Sequence, residues 1–335
     1  MSLTIVQMPI SPSYSSMVRD IIVSSTGDVT FELKLGSVSI LSEIYTPDAQ
    51  GMVFIRNIGK VCRNYLQGKV LQANGLQNDI VKTFTAIING GIPFNFEVQR
   101  CDAYIKTTRD IFTSGSLQRF THKGGIEFLT MYMTSEYVFN VELLKIENNE
   151  LVSRDSTMFL TPQTSGFQTI TTSFWSIQSK YSNWDYTNTV GYRITCGNWM
   201  RVDYMIDYAD YPTINYFLYK NVFGVSETLT VVPEIKHKQA VTNEFGWIHD
   251  ENRKFNVRRN DTIEVNVGAL RNQDEYIRLR EMFGSDEVYV FDISNNEWLP
   301  IVITDIKDEN PETLSLVSPI AFSYQFAKEK HNVRL

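Results

Sequence analysis

The sequence predicts an all-β protein, mainly antiparallel, organised as two β-sandwich or barrel-like domains with two short helices. Three observations carry that expectation. Period-two alternation dominates the chain, turn residues recur between the alternating runs, and only two segments show helical spacing.

In "VTFELKL" (29–35), Val29, Phe31, Leu33 and Leu35 share one face, while Thr30, Glu32 and Lys34 share the other. In "TIEVNV" (262–267), Ile263, Val265 and Val267 oppose Thr262, Glu264 and Asn266. In "IAFSYQFA" (320–327), Ile320, Phe322, Tyr324 and Phe326 oppose Ala321, Ser323, Gln325 and Ala327. An apolar face on one side only is the mark of an antiparallel sheet, because parallel strands are covered on both sides and read as unbroken apolar runs.

The two exceptions predict helices at about 56–67 and 272–283. In the first, Ile58, Val61, Cys62, Tyr65 and Leu66 fall on one helical face, and Gly68 stands where a stop is expected. In the second, Asn272 is placed to cap the helix with Glu275 as its reciprocal partner. Tyr276, Leu279 and Phe283 make the stripe, and Gly284 closes it. The polar, turn-rich stretch 148–166 suggests the domain boundary. It gives an N-terminal β domain over 1–160 and a C-terminal β domain over 161–335 that ends in a hairpin and a final strand.

That hairpin is "EVYVFDISNNEWLPIVITDI" (287–306). Asp292, Ser294 and Asn296 alternate like the first ligands of a calcium loop, but the sixth position is Glu297 instead of glycine. The twelfth is Ile303 instead of a bidentate Glu. A tight turn fits better, with Asn295 and Asn296 able to take positive φ. Pro300 has no backbone donor, so its strand belongs at an edge, or its nitrogen must point off the ladder.

Composition narrows the function classes. Lys and Arg number 31 against 38 Asp and Glu, for a net charge of −7, and phosphate binding needs the opposite sign in a cluster. The one basic run, "RKFNVRR" (253–259), reads as a solvated strand face. Cys62, Cys101 and Cys196 are odd in number and far apart, so no disulfide framework is expected, and Cys62 reads as core packing. The N-terminus has neither the basic start nor the apolar run of a signal peptide. The expectation is synthesis in the cytoplasm without one. No run approaches the length of a membrane span.

Chemistry-bearing motifs are absent. His122, His237, His249 and His331 lack zinc spacing and read as solvent-facing. No nucleophile elbow, P-loop or dinucleotide fingerprint occurs. In a β chain any two acidic residues can face each other, and spacing promotes no pair over another. The expectation is a protein that is not an enzyme, with no cofactor and no metal.

One stretch stands out. Residues 174–219 are crowded with rings, among them Trp175, Trp184, Tyr186, Trp199, Tyr204, Tyr208 and Tyr211. Rings of this kind supply rigid contact area with a polar tip, as at a protein interface or a glycan-stacking surface. They also favour strands, so a β core with edge aromatics explains them too.

The C-terminal third adds a resemblance. A helix is followed by Ser285, Glu287, Val288 and Tyr289, then a turn, then Trp298, Pro300 and Ile301, then a strand with Phe322 and Phe326. This order resembles tail- and baseplate-associated structural proteins, of the distal-tail kind, from phages and prophages of gut anaerobic bacteria. "NVFG" (221–224), "TPQT" (161–164) and the run at 44–66 are similar to further pieces of that pattern. The resemblance implies a virion or tail-like particle component that assembles with copies of itself into a ring, and with neighbouring tail proteins. A cell-surface glycan is the other partner class. The resemblance implies no cofactor and no catalytic residue, and the charge balance and the short apolar runs speak against nucleic acid and membrane insertion.

Overall fold

The structure is a computed structural model that describes residues 2–103, 117–134, 137–160, 165–197, 200–248, 251–268, 270–307 and 320–327. For 160, 200, 234, 236–248, 251–261 and 268 it describes the backbone alone. The chain is all-β with few helices, and its sheets are mainly antiparallel.

The first unit contains β1 (Leu3–Gln7), β2 (Ser13–Tyr14), β3 (Ile21–Ser25), β4 (Val29–Leu35), β5 (Val38–Tyr45), β6 (Met52–Ile55), α1 (Ile58–Arg63), β7 (Gly75–Leu76), a 3-10 turn at Asn78–Ile80, β8 (Val81–Ile88) and β9 (Phe94–Gln99). A sheet of order β1-β3-β6 faces one of order β2-β9-β8-β4-β5. Their inner residues, such as Val23, Val53, Phe31, Phe84 and Phe96, share one core with Ile58 and Cys62 of α1. Two one-sided sheets hiding their apolar faces against each other make a sandwich.

The second unit contains β10 (Gln118–His122), β11 (Phe128–Met133), β12 (Phe139–Glu147), β13 (Glu150–Leu160), β14 (Gly166–Thr171), α2 (Phe174–Lys180), β15 (Thr189–Cys196) and β16 (Met200–Asp207). Sheet β10-β16-β15-β12-β13 packs on sheet β11-β14-β7, so a strand from the first unit completes the second. Phe159 and Ile170, on either side of the expected 160/161 boundary, lie in the same core. The polar residues around 148 form the tip of the β12–β13 hairpin, where Asn148 and Asn149 hold positive φ. The large described cores number three where two domains were expected.

The third unit contains β17 (Asn215–Lys220), β18 (Ser226–Val231), β19 (Glu234–Ile248), β20 (Glu251–Gly268), α3 (Gln273–Phe283), β21 (Val288–Asp292), β22 (Glu297–Lys307) and β23 (Ile320–Phe326). These strands form one sheet, β18-β17-β21-β22-β23-β20-β19, whose apolar face closes on Leu279 and Met282 of α3.

Both expected helices are present, and α2 is a third that the ring-rich stretch concealed. α3 starts as its capping residues require: Asn272 Oδ1 accepts from the Glu275 N–H at 2.9 Å, and Glu275 accepts from the Arg271 N–H at 2.6 Å. α1 is shorter than expected and leaves Tyr65 exposed. Gly68 serves another purpose than a helix stop. A Cβ there would stand 1.6 Å from the carbonyl oxygen of Gly224. Gly224 closes a tight turn, Asn221–Gly224, in which Asn221 Oδ1 accepts from the N–H groups of Phe223 and Val225 at 3.0 and 3.3 Å. The turn plants Phe223 and Val225 among Tyr14, Ile80, Cys101 and Phe167, where all three units meet.

The 287–306 hairpin forms as expected, with Asp292 opposite Glu297. Asp292 Oδ1 accepts from the Ser294 N–H at 3.0 Å, and only Asn296 of the two asparagines takes positive φ. β22 lies between β21 and β23, so it is not the edge expected from Pro300. The Pro300 carbonyl accepts from the Ala327 N–H, just past the end of β23. Its nitrogen points to the same side, where no ladder bond is needed.

The open edge is β19. Its hairpin with β20 has strands of 15 and 18 residues. β20 pairs with β23 only over Ile263–Gly268. From Lys238 opposite Thr262 out to Ile248 opposite Glu251, the hairpin is a two-stranded ribbon among the described residues. Its free arm is about 30 Å long at the usual rise per strand residue. The "RKFNVRR" run lies on its returning strand. Among the described residues, no helix is long and apolar enough to cross a membrane.

Candidate functional site

The ring-rich stretch wraps the start of α2. Phe174 and Ile177, three residues apart, turn into the core, which leaves Trp175 on the outer side and half exposed. Phe174 is met edge-on by Tyr186 at 5.8 Å and Tyr208 at 6.3 Å. Trp184 stacks on Tyr181 at 4.6 Å with only 12° between the planes. The Tyr181 hydroxyl donates to the Met158 carbonyl at 2.9 Å, and that of Tyr186 donates to the Tyr181 carbonyl at 2.9 Å. Trp184 and Tyr186 are thus half-buried supports of the loop after α2. Tyr211, also half-buried, donates to Asp207 Oδ2 at 2.8 Å. The most exposed described members of the set are Trp175 and Tyr208. Trp199 lies outside the described residues.

Tyr204 does not belong to that surface. It stood among the candidate surface rings, yet its ring is 0% exposed and stacks on Tyr192 at 4.5 Å. The reason is local: β16 turns Tyr204 inward beside Val202, and the hydroxyl accepts from the Arg119 guanidinium at 3.3 Å and bonds Thr172 at 3.1 Å. His122 is likewise buried. One ring nitrogen lies 2.9 Å from the Ala209 carbonyl, and the other accepts from the Gly124 N–H at 3.2 Å. His249 and His331, and the side chain of His237, lie outside the described residues. The cysteines are buried and free. Burial pushes the Cys62 thiol up to about 12 and the Cys101 thiol up to about 11, which makes them packing groups.

Tyr204 leads to the group that sequence reasoning missed. Arg119 of β10, Glu127 before β11, Glu227 of β18 and Arg278 of α3 are all buried where the second unit meets the third. Arg119 reaches Glu227 Oε1 at 2.6 Å and donates to the Phe128 carbonyl at 3.0 Å. Arg278 donates to the Thr228 carbonyl and lies 3.9 Å from both Glu127 and Glu227. The Thr228 hydroxyl donates to Glu127 at 2.7 Å, and the Glu127 N–H donates to Ser173 Oγ at 2.9 Å. β18 is buried along its whole length, because α3 covers one face and the second unit the other.

The electrostatics follow from this enclosure. Burial works against the Arg119 charge, but Glu227, Tyr204 and Glu127 beside it more than offset that and hold its pKa up. Burial raises the Glu127 carboxyl, against the pull of Arg278 and Arg119. The cluster sets two guanidiniums against two carboxylates, with the Phe128 and Thr228 carbonyls and the Thr228 hydroxyl beside them, and so ties the second unit to the third. Nothing in the local sequence marks Arg119 or Arg278. The one available signal is position, since Arg278 follows Ile277 and precedes Leu279 on the helix's buried side. Among the described residues, no group of three or more His, Cys, Asp or Glu could hold a metal ion.

Comparison with known proteins identifies no family. No protein-family model matches the sequence, and no curated protein does. Among solved structures, the chain is similar to one from the crystal structure of Dpr2 Ig1–Ig2 in complex with DIP-Theta Ig1–Ig3. The match has 12% identity and a TM-score of 0.18, over 62% of this chain and 99% of that one, a likeness too slight to carry a functional argument.

Proposed function

We propose that the chain is a non-enzymatic structural component of a phage or prophage-derived tail or baseplate. It works by assembling with copies of itself into a ring and with neighbouring tail proteins. The observation that carries this reading is the β19–β20 ribbon. Beyond Thr262 its strands pair only with each other among the described residues, so both outer edges offer backbone donors and acceptors. A lone two-stranded hairpin is marginal in water, and natural proteins seldom leave so long an edge uncovered. A neighbouring subunit that adds a strand or lays a sheet face along the ribbon satisfies both requirements. The resemblance of the C-terminal third to tail proteins points to the same kind of partner.

The test shortens the ribbon. Residues 239–261 are replaced by an Asn-Gly turn joining Lys238 to Thr262, which are already cross-strand partners. Light scattering and electron microscopy at high concentration are expected to show rings for the full chain and monomers for the shortened one, with similar melting temperatures. Equal assembly by both chains, or a full chain that stays monomeric, overturns the reading.

A second reading is a glycan-binding surface on the same module, favoured by Trp175, half exposed on α2. Its expected result is a glycan-array signal from the full chain that Trp175→Ala lowers at least tenfold while the melting temperature is unchanged. An array without signal removes it.

A further inference from the structure

We infer that the junction between the second and third units is a proton-linked latch, closed while Glu281 of α3 is a neutral acid and loosened when that side chain ionises.

Glu127 and Glu227 are enclosed with the two guanidiniums of Arg119 and Arg278, and Glu281, half-buried one helical turn after Arg278, turns a third carboxyl inward with its Oε2 buried. Enclosed charge must balance or be neutralised, because burying an unmatched ion is costly. Arg119 and Arg278 each lie within 4 Å of both Glu127 and Glu227. Thr228 adds a hydrogen bond to Glu127, and Asn221 Nδ2 adds one to Glu227 at 3.4 Å. Among the described residues Glu281 has no ion pair, and its Oε2 is buried with no hydrogen-bond partner. Burial raises the Glu127 carboxyl too, but Glu127 has both guanidiniums within 4 Å, whereas Glu281 has neither.

The groups facing Glu281 come from every element around it. They are Glu227 of β18, Arg278 on its own helix, Arg119 of β10, the Tyr219 hydroxyl of β17 and the Cys101 thiol after β9. Burial, and then the Glu227 charge, push the Glu281 carboxyl up to about 8 against the pull of Arg278 and Arg119. In the unfolded chain the same carboxyl titrates near ~4.3. Between those values the folded state holds a proton that the unfolded state has released. Stability is therefore greatest at the acid end, falls as pH rises through this window, and levels off above it. Above about 8 the junction holds one net negative charge, and α3 carries it against β10 and β18.

The outer fastenings do not replace the latch. Arg271 pairs with Asp207 at 2.5 Å, and Asp274 accepts from the Gln118 N–H at 3.3 Å, both nearer the N-terminal end of α3. The C-terminal end, where Glu281 sits, depends on the neutral acid.

The experiment uses the full chain and its Glu281→Gln variant. Infrared spectra are expected to show a protonated-carboxyl band at pH 6.5 that disappears with a midpoint near 8 and is missing from the variant. The melting temperature of the wild type is expected to fall from pH 5 to 8.5 while that of the variant stays level over the upper part of the range. Hydrogen exchange corrected for pH is expected to rise above pH 8.5 in residues 273–283 and 226–231 of the wild type only. A wild type without the band at pH 6.5 overturns the inference, as does a variant that keeps the band or follows the same pH course. Should the variant fail to fold, the band and exchange of the wild type across pH 8 decide the matter.

Discussion

Arg119→Met is expected to lower the stability of the chain by about 3–5 kcal/mol, the cost of stranding the partner of a buried ion pair. Methionine fills much of the same volume, so the loss comes from charge and hydrogen bonding. Glu227 loses its 2.6 Å partner, the Phe128 carbonyl loses its donor, and the guanidinium over the Tyr204 ring is gone. Arg119→Lys is expected to recover little, since a single ammonium cannot reach Glu227 and the Phe128 carbonyl in the fixed fork geometry of a guanidinium. Urea unfolding followed by tryptophan fluorescence measures both. A loss under 1 kcal/mol for Arg119→Met would show that the cluster relaxes, and would remove the lock from the account.

The second large effect is expected at Gly68→Ala, about 3 kcal/mol, at the upper end for overpacking. The added methyl meets backbone rather than a flexible side chain, at 1.6 Å from the Gly224 oxygen and 2.9 Å from the Ile80 side chain. Gly224 cannot easily retreat. It holds φ at +76°, and the Arg100 side chain lies against its other side. The Asn221–Gly224 turn must then withdraw Phe223 and Val225 from the shared cluster. Thermal unfolding of the variant, with near-ultraviolet circular dichroism as a second probe, checks this. An unchanged melting temperature would show that the glycine contact is incidental.

Elements with a clean period were legible in the sequence. β4 spans the residues assigned to it and buries Val29, Phe31 and Leu33, and α3 begins at the cap its sequence announced. Legibility failed where long-range packing overrode the local pattern. Tyr204 stood in the candidate surface set and His122 read as solvent-facing, but β16 turns Tyr204 into the second unit's core against Tyr192, and His122 is buried between the Ala209 carbonyl and the Tyr216 hydroxyl of β17. Arg119 and Arg278 carry full charges into the interior, which no periodicity rule expects without their partners, and those are Glu127 and Glu227, in other parts of the chain. The start of the 148–166 stretch looked like a linker because a hairpin tip, here Asn148–Asn149 between β12 and β13, shares a linker's composition. Among the candidate rings, composition could not distinguish those that prop a loop, such as Trp184, from one that faces outward, such as Trp175.

The short strand β7 has a wider consequence. Gly75 and Leu76 sit in the chain among the first unit's strands, yet they pair with Thr169 and Gln168 in the second unit's sheet. Nearby, the Leu71 N–H donates to the Ser226 hydroxyl of the third unit at 2.6 Å. An exchange of genetic cassettes at the seam between the first and second units would deliver a sheet lacking its last strand, or a strand with no sheet to join, so those two units can be exchanged only as a pair.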